Sequence, residues 1–307
     1  MLSRRGFIAG TAGAACILAS PSFGLASTGA PKRIVSIGSP ITEIMFGLGC
    51  GERVVAVDQA SRFPSATRRK GDAGFHDDLS AQKLLAHEPD LLIGDERAGP
   101  PEVMDALRRA TVKVVSLRDV RRSGDVAERI RLAGEAIGDP GRGATLAGAV
   151  EDDLAALSGD LERVARRRRA LILLGLGSAH PPIVGGAGSP AALALEMAGA
   201  VNAAGHFDGW KTLKSDQLAT LEPEAVVALS IGAPLLAADV SAHPALRASP
   251  AVRENRVVVA DAIAFTGFGP RAAHVIGDVA RAIYPEAAFR PQPRRAWAQE
   301  EFDGASL

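Results

Sequence analysis

One segment of the chain occurs twice, 134 residues apart, and this repeat restricts the fold more than any other feature. Residues 79–90 align with residues 213–224 without a gap, and the two copies share two leucines and a Glu-Pro pair. Each copy contains a short helical pattern, a proline that ends it, and a hydrophobic run that predicts a buried strand. Alternating strands and helices predict an α/β sheet in each half. Two unrelated helix–strand units with the same Glu-Pro turn are the alternative.

A second similarity also relates the two halves. The tripeptide Gly-Ser-Pro follows the hydrophobic segment 33–37. It occurs again at residues 188–190, shortly after the segment 182–186. Serine caps the first turn of a helix, and a proline just after it has no N–H to leave unpaired. We therefore predict a strand followed by a serine-capped helix at both places, with Ser39 and Ser189 as the caps.

Two α/β lobes with a helical connection are the organisation that these patterns predict. The first lobe covers residues 31–140 and the second covers residues 169–285. Residues 141–168 contain one amphipathic stripe, as expected for a long rigid helix between the lobes. Two Rossmann-like lobes on such a helix would enclose a ligand cleft with limited hinge motion. Residues 286–307 are rich in proline and arginine and are expected to form a frayed tail.

The charge and the hydrophobicity of the chain exclude several classes of protein. Its 35 basic and 35 acidic side chains give a formal net charge of zero, whereas nucleic-acid-binding proteins normally carry a basic surplus. The sequence has no run of about eighteen apolar residues that could span a bilayer. Its two cysteines, Cys16 and Cys50, cannot form a disulfide framework. We therefore expect a globular protein that does not bind nucleic acid.

The first residues have the order of an export signal. Arg4 and Arg5 form a twin-arginine pattern, an apolar stretch follows, and small residues around Ala26 suit a signal peptidase. Cys16 lacks the upstream leucine of a lipid-anchored protein, so no lipid anchor is expected. We predict that residues 1–26 are a twin-arginine signal peptide and that the protein is exported, already folded, to the periplasm. A chance arginine pair on a buried helix is the alternative.

Six short motifs occur along the mature chain in a fixed order. They cover residues 33–36, 42–44, 88–93, 96–102, 198–203 and 266–271. Together they resemble the substrate-binding proteins of ABC importers of the helical-backbone type, which handle haem, vitamin B12 and ferric siderophores. The last three motifs resemble the haemin-binding branch more closely. The resemblance implies a two-lobed binding protein that captures a ligand and delivers it to a permease, without catalysing a reaction.

The chain departs from the haemin-binding branch at the iron ligand. In that branch a tyrosine after a glycine binds the iron, but here Gly74 is followed by Phe75, which has no donor atom and could only stack on a porphyrin. The resemblance implies that the neighbouring His76 is the substitute, because imidazole is an ordinary axial ligand of haem iron. His180 could approach from the other lobe. For both histidines an ordinary polar surface role is the alternative.

A tetrapyrrole also carries propionates, which need cationic hydrogen-bond donors. Arg271 is the first candidate, because it opens a predicted helix whose N-terminus favours anions. Arg62 and Arg69, in the loop before Phe75, are the next candidates. Trp210 is expected to form a wall of the pocket. Solvated arginines and ordinary core packing of the tryptophan are the alternatives.

The resemblance also implies a docking surface for the permease. In this family an acidic residue on each lobe pairs with arginines of the permease, and the repeat places Gln82 and Asp216 at these positions. Gln82 keeps a hydrogen-bonding group but has no charge, so we expect asymmetric or weaker docking. The partners are expected to be an ABC permease and its ATPase, with the binding protein itself a monomer.

The leading interpretation is a periplasmic carrier that captures haem as its transported ligand and has no intrinsic cofactor. A ferric siderophore or a cobalamin-like corrinoid is the alternative ligand, favoured by the missing tyrosine and by Asp77 and Asp78 beside His76. A cofactor-containing periplasmic enzyme is the remote alternative, because the Gly-x-Gly-x-x-Ala match at 186–191 contains a proline and is explained by a helix start. A metal-ion carrier would gather several histidines and carboxylates, but the histidines here are scattered.

Overall fold

The computed structural model describes residues 29–175, 181–231 and 235–301. The first half of the described chain contains the strands β1 (Ile34–Ser36), β2 (Val54–Val57), β3 (Gly71–Asp72), β4 (Gly74–Phe75), β5 (Asp78–Leu79), β6 (Leu91–Asp95) and β7 (Lys113–Leu117). Five of them form a parallel sheet in the order β3-β2-β1-β6-β7, while β4 and β5 form a separate hairpin. The central strands β1 and β6 are buried along their whole length, as expected for a parallel sheet with both faces covered.

Helices pack on this sheet, and the last of them connects it to the second half of the chain. They are α1 (Ser39–Gly47), α2 (Ala81–Leu85), α3 (Pro101–Arg109), α4 (Gly124–Ala136) and α5 (Pro140–Leu161), with 3-10 turns at Gly51–Arg53 and Ser65–Arg69. The 22-residue α5 begins after Asp139, whose side chain accepts a hydrogen bond from the backbone N–H of Arg142 at 3.0 Å. A helix of this length is long enough to connect two sheets.

The second half contains another sheet. Its strands are β8 (Arg169–Leu174), β9 (Ile183–Gly185), β10 (Val201–Asn202), β11 (Trp210–Thr212), β12 (Ala225–Ser230) and β13 (Val257–Asp261). The strand order is β11-β9-β8-β12-β13, and β10 also pairs with β8. The pairs β8–β12 and β12–β13 are parallel, whereas β9 is antiparallel to both of its neighbours. The helices are α6 (Pro190–Met197), α7 (Ser215–Ala219), α8 (Ala237–Ala242), α9 (Pro250–Arg253), α10 (Ala262–Gly267) and α11 (Ala272–Ile283).

The two lobes share one hydrophobic core through the helical connection. Ile34 of the first sheet, Leu146 of α5 and Ala170 of the second sheet all belong to this core. The helices α4 and α5 pack closely, because a Cβ on Gly134 would lie 2.6 Å from the Cα of Gly143 and only glycine fits there. The predicted fold class, two α/β lobes joined by a long helix with a cleft between them, is confirmed. None of the described helices combines the length and the apolar character needed to cross a membrane.

The repeat detected in the sequence is confirmed in the structure. Both copies form a five-residue helix, α2 or α7, that is followed by a buried strand, β6 or β12. The shared glutamates, Glu88 and Glu222, take the same left-handed backbone conformation, with φ of 47° and 41°. The two segments are therefore equivalent down to the turn before the strand.

The Gly-Ser-Pro similarity has a different structural basis from the one we predicted. Ser189 caps α6 by accepting a hydrogen bond from the N–H of Ala192 at 3.1 Å, but the predicted cap at Ser39 is wrong. There Gly38 is the N-cap with a φ of 93°, so Ser39 already lies inside α1. The strand before α6 is also not a counterpart of β1, since β9 is antiparallel and β8 holds the equivalent central place in its sheet.

The described part of the C-terminal tail packs against α5, so the expectation of a frayed tail was wrong for residues 286–301. Arg290 Nε donates to Asp160 at 2.7 Å, and Arg295 donates to both oxygens of Asp153 at 3.0 and 2.7 Å. Both carboxylates are buried and lie seven residues apart on one face of the helix. Two arginines of the tail, which the sequence led us to expect in solvent, bind these carboxylates instead.

Candidate functional site

A cavity of about 1380 Å³ lies between the two sheets. On the first lobe its lining includes Gly38 after β1, Asp58 after β2, Asp95 at the end of β6 and Asp119 after β7. These residues converge because parallel strands have their carboxyl ends at the same edge of a sheet. The start of α6 and the end of α10 line the cavity from the second lobe. The volume exceeds the roughly 300–1,000 Å³ typical of small-molecule sites, so the cleft can hold a large ligand.

A histidine–aspartate pair lies in the wall of this cavity. His76 occupies the turn between β4 and β5, and its Nε2 lies 3.0 Å from each carboxylate oxygen of Asp95. The carboxylate is held from the other side by the backbone N–H of Arg97 at 2.9 Å. Nδ1 of His76 has no hydrogen-bond partner among the described residues. A Cβ on Gly38 would lie 3.3 Å from Asp95 Oδ2 and 3.7 Å from the imidazole, so glycine lets the backbone pass closely under the pair.

The pair shifts the protonation of both groups. The hydrogen bond to Asp95 raises the pKa of His76 above its ordinary value, against the effect of burial. Burial disfavours the charged form of Asp95, but the hydrogen bond and the charge of His76 outweigh it and lower the pKa of Asp95. The ion pair is therefore stable over a wider pH range than the two free side chains would allow.

The pair is expected to stabilise the folded protein most between pH 3.8 and 6.5, the ordinary pKa values of the two groups. The contribution of His76 is lost as the pH rises through its raised pKa, and that of Asp95 is lost as the pH falls through its lowered pKa. In urea unfolding, His76→Gln should cost about 1–2 kcal/mol near pH 5.5 and less at pH 3 and pH 9. A cost that stays constant with pH would contradict this interpretation, and His87→Gln, outside the cavity, is the control.

A chain of buried hydroxyl groups ends at a second carboxylate in the cavity wall. Ser36, Thr42 and Ser61 are linked by distances of 2.9 and 2.8 Å, and Ser61 donates in turn to Asp58 Oδ1. Burial raises the pKa of Asp58. Its other oxygen, Oδ2, is buried without a hydrogen bond to any described residue. Asp58 therefore contributes to the cavity wall a carboxyl group with one oxygen unsatisfied by the described residues.

Basic side chains line the same cavity. Arg129 of α4 is only 5% exposed, while Arg97, Arg121 and Arg167 are more accessible. Asp119 lies between two of them, 3.5 Å from Arg97 Nε and 3.9 Å from Arg129 Nη2. The cleft thus presents both acidic and basic groups to a ligand.

The structure brings only part of the predicted site together. His76 and Trp210 line the cavity, from opposite lobes, and Trp210 is 38% exposed. Phe75 is next to His76 in the chain and 60% exposed, but it is outside the cavity lining. Arg62 and Arg69 are exposed and also lie outside the lining.

Arg271 is bound to another residue of the protein. Its Nε and Nη2 donate to the two carboxylate oxygens of Glu43 at 2.9 and 2.6 Å, and its guanidinium lies 3.4 Å from the ring centre of Phe63. Since this pair compensates its charge, the binding of a propionate by Arg271 stays a prediction that would require the pair to open.

The remaining predicted residues lie away from the described cavity wall. His180 falls outside the described residues, so its proposed role stays a prediction. Gln82 on α2 and Asp216 on α7 are both exposed, at the equivalent positions of the repeat. An exposed position on each lobe is what a docking contact with a permease would need.

Sequence reasoning missed most of the charged residues of the cavity, among them Asp58, Asp95, Asp119 and Arg129. The three aspartates share a structural position, because each ends or closely follows a strand of the first sheet, at the edge where parallel sheets place their ligand sites. Arg129 has no such position, since it lies in the middle of an amphipathic helix. Only the folded structure shows that it faces the cleft, where its Nη1 donates to the backbone carbonyl of Gly267 in the second lobe.

The two lobes, the helix between them and the large cleft define a solute-binding protein of the helix-linked class. The family model described as periplasmic binding protein matches residues 34–264, so the chain belongs to this family. It is the periplasmic substrate-binding component of an ABC importer, and it is a transport component and not an enzyme.

Solved structures with the same fold support this assignment. The periplasmic heme-binding protein RhuT from Roseiflexus sp. RS-1 is 32% identical, with a TM-score of 0.75 over 84% of this chain and 99% of that chain. The periplasmic heme-binding protein BhuT, solved in complex with two hemes, is 30% identical, with a TM-score of 0.76 over 85% of this chain and 100% of that chain.

Curated relatives belong to the same transport class. An uncharacterized ABC transporter substrate-binding lipoprotein of Bacillus subtilis, YvrC, is 24% identical over 258 residues, which are 83% of this chain and 81% of the relative. The vitamin B12-binding protein of Pectobacterium carotovorum is 24% identical over 101 residues, 33% of this chain and 36% of the relative. The relatives thus agree on the class of protein and differ in their ligands.

Proposed function

We propose that this binding protein captures haem in its cleft and delivers it to an ABC permease, with His76 as the axial ligand of the iron. The His76–Asp95 pair is the observation that carries the proposal. Histidines that bind metals usually donate their other ring N–H to a carboxylate, which fixes the tautomer and increases the basicity of the ligand. Nε2 of His76 is committed to Asp95 in this way, and Nδ1 would bind the iron after losing the proton that it carries in the ion pair.

The shape and the aromatic groups of the cleft support the same ligand. The cavity volume is sufficient for a tetrapyrrole, and Trp210 offers an aromatic surface from the lobe opposite His76. Phe75, exposed beside His76, can cover the edge of a porphyrin ring. Both solved relatives described above are named heme-binding proteins.

A corrinoid is the second candidate ligand, because the cavity wall is rich in carboxylates. Asp58, Asp77, Asp95 and Asp119 all line it, and acidic groups suit amide donors better than propionates. Relatives named vitamin B12-binding proteins match a third of the chain.

The proposal includes the route of the protein and its partner. Residues 1–26 act as a twin-arginine signal peptide, and the exported chain works as a monomer that meets a permease and its ATPase. Asp216 docks one lobe through an ion pair, and Gln82 docks the other lobe through a hydrogen bond. Both are exposed and equivalent in the repeat.

A titration of the purified protein with haemin, followed by absorbance, tests the proposed ligand. We expect a shifted Soret band that saturates at a fixed stoichiometry, because a bound imidazole changes the ligand field of the iron. Cyanocobalamin and ferrichrome are titrated in parallel, with the fluorescence of the tryptophans as the signal. If haemin gives only the spectrum of the free compound while cyanocobalamin saturates, the corrinoid replaces haem in the proposal.

A further inference from the structure

Arg129 is the most deeply buried cation of the cleft. It lies on α4 of the first lobe, is 5% exposed and contributes to the cavity lining. Its Nε donates to the backbone carbonyl of Arg118 at 3.0 Å, and its Nη1 donates to the backbone carbonyl of Gly267, in the second lobe, at 3.2 Å. These two contacts fix the plane of the guanidinium at the junction of the lobes.

The charge of Arg129 is only weakly compensated by the protein. Both hydrogen-bond partners are neutral carbonyl groups, and the carboxylate of Asp119 lies 3.9 Å from Nη2, too far for a hydrogen bond. Asp119 also faces Arg97, with 3.5 Å between Oδ2 and Nε. Nη2 of Arg129 donates to no described residue. Burial lowers the pKa of Arg129, which shows how poorly the site solvates the positive charge.

We infer that Arg129 binds a carboxylate group of the ligand, and that the cleft thereby selects ligands with acidic side groups. The inference builds on the proposed capture of a ligand in this cleft. A guanidinium held by two carbonyl groups keeps free N–H donors in a fixed plane, and a carboxylate matches this geometry. Haem propionates meet this requirement, whereas the neutral amides of cobalamin do not.

Asp119 should affect anion binding in the opposite direction from Arg129. Its carboxylate is the nearest negative charge to Arg129, so it competes with an anionic ligand for the same guanidinium. Asp119→Asn should therefore strengthen anion binding, whereas Arg129→Met should weaken it. A purely structural role of Arg129 would not produce this pair of opposite effects.

The first test needs no knowledge of the natural ligand. The thermal midpoint of the protein is measured in 0 to about 100 mM sodium propionate at constant ionic strength. We expect the midpoint of the wild type to rise by about 2 °C, that of Asp119→Asn to rise further and that of Arg129→Met to stay constant. Arg131→Met is the matched control, because Arg131 lies on the same helix and pairs with Glu151 outside the cavity.

The second test compares haemin with its dimethyl ester, in which both propionates are neutral. Arg129→Met should weaken haemin binding by about 10- to 100-fold and leave binding of the ester nearly unchanged. Arg129→Lys keeps the charge without the planar fork and should lie between the wild type and the methionine variant. Arg129→Lys also provides the test of haemin against its ester if Arg129→Met does not fold.

The outcomes separate this inference from the proposed function. If haemin does not bind but the propionate effect depends on Arg129, haem is excluded and the carboxylate site stands for another acidic ligand. The opposite result is also possible: haemin binds, Arg129 variants change the affinities for haemin and for its ester equally, and propionate does not shift the thermal midpoint. Haem then remains the proposed ligand, and the carboxylate site is excluded. If neither haemin nor propionate acts on the wild type, both proposals are overturned.

Discussion

Replacing His76 by alanine is expected to weaken haemin binding by at least about 100-fold and to abolish the shifted Soret band. Loss of a residue that hydrogen-bonds to a metal ligand typically lowers metal affinity by about 10- to 100-fold, and removal of the ligand itself lowers it further. Asp95→Asn should therefore give an intermediate loss, because it keeps the shape of the partner and removes its charge. Absorbance titrations of the three proteins with haemin measure both effects.

His87→Ala is the matched control for this experiment. His87 belongs to the same lobe and lies outside the cavity, where its Nε2 is 3.3 Å from the carbonyl of Asp72. It should leave the haemin spectrum unchanged. A saturating Soret shift that is the same in His76→Ala and in the wild type would show that haem binds through another ligand. His180→Ala would then be the next variant to titrate.

The local features of the fold could be predicted from the sequence. The repeated Glu-Pro turn fixed two helix–strand units, and Glu88 and Glu222 confirm that both turns have the same geometry. Sequence patterns gave a wrong prediction where a tertiary contact determines the local structure. Ser39 has the sequence of a helix cap, but the unusual φ of Gly38, which passes under the His76–Asp95 pair, moves the helix start by one residue.

The site was less predictable than the fold, because its charges meet through tertiary packing. His76 was recognisable from the residues around it, whereas its partner Asp95 is 19 positions away, at the end of β6. Arg129 and Gly267 are 138 positions apart, and Arg271 and Glu43 are 228 positions apart. No spacing rule relates such residues. The sequence therefore did not reveal that Arg271, which was expected to bind the ligand, is paired with Glu43.

Glu43→Met is expected to lower the free energy of unfolding by about 3–5 kcal/mol, the largest stability effect that we predict. Glu43 is 5% exposed on α1, and it accepts two hydrogen bonds from Arg271, which lies at the start of α11 in the other lobe. Without Glu43, the guanidinium stays largely buried, against Phe63, and loses the carboxylate that pairs with it. Urea unfolding of the two proteins measures the difference.

The double variant Glu43→Met/Arg271→Met distinguishes the lost charge pair from lost packing. If the cost comes from the uncompensated Arg271, the double variant should be more stable than Glu43→Met alone, because two apolar side chains of similar size can replace a buried ion pair. Glu151→Met breaks an exposed pair with Arg131 and should cost at most about 1 kcal/mol. Should Glu43→Met cost no more than this surface variant, the pair would not stabilise the junction of the lobes, and Arg271 would be free to turn toward an anionic ligand as the sequence suggested.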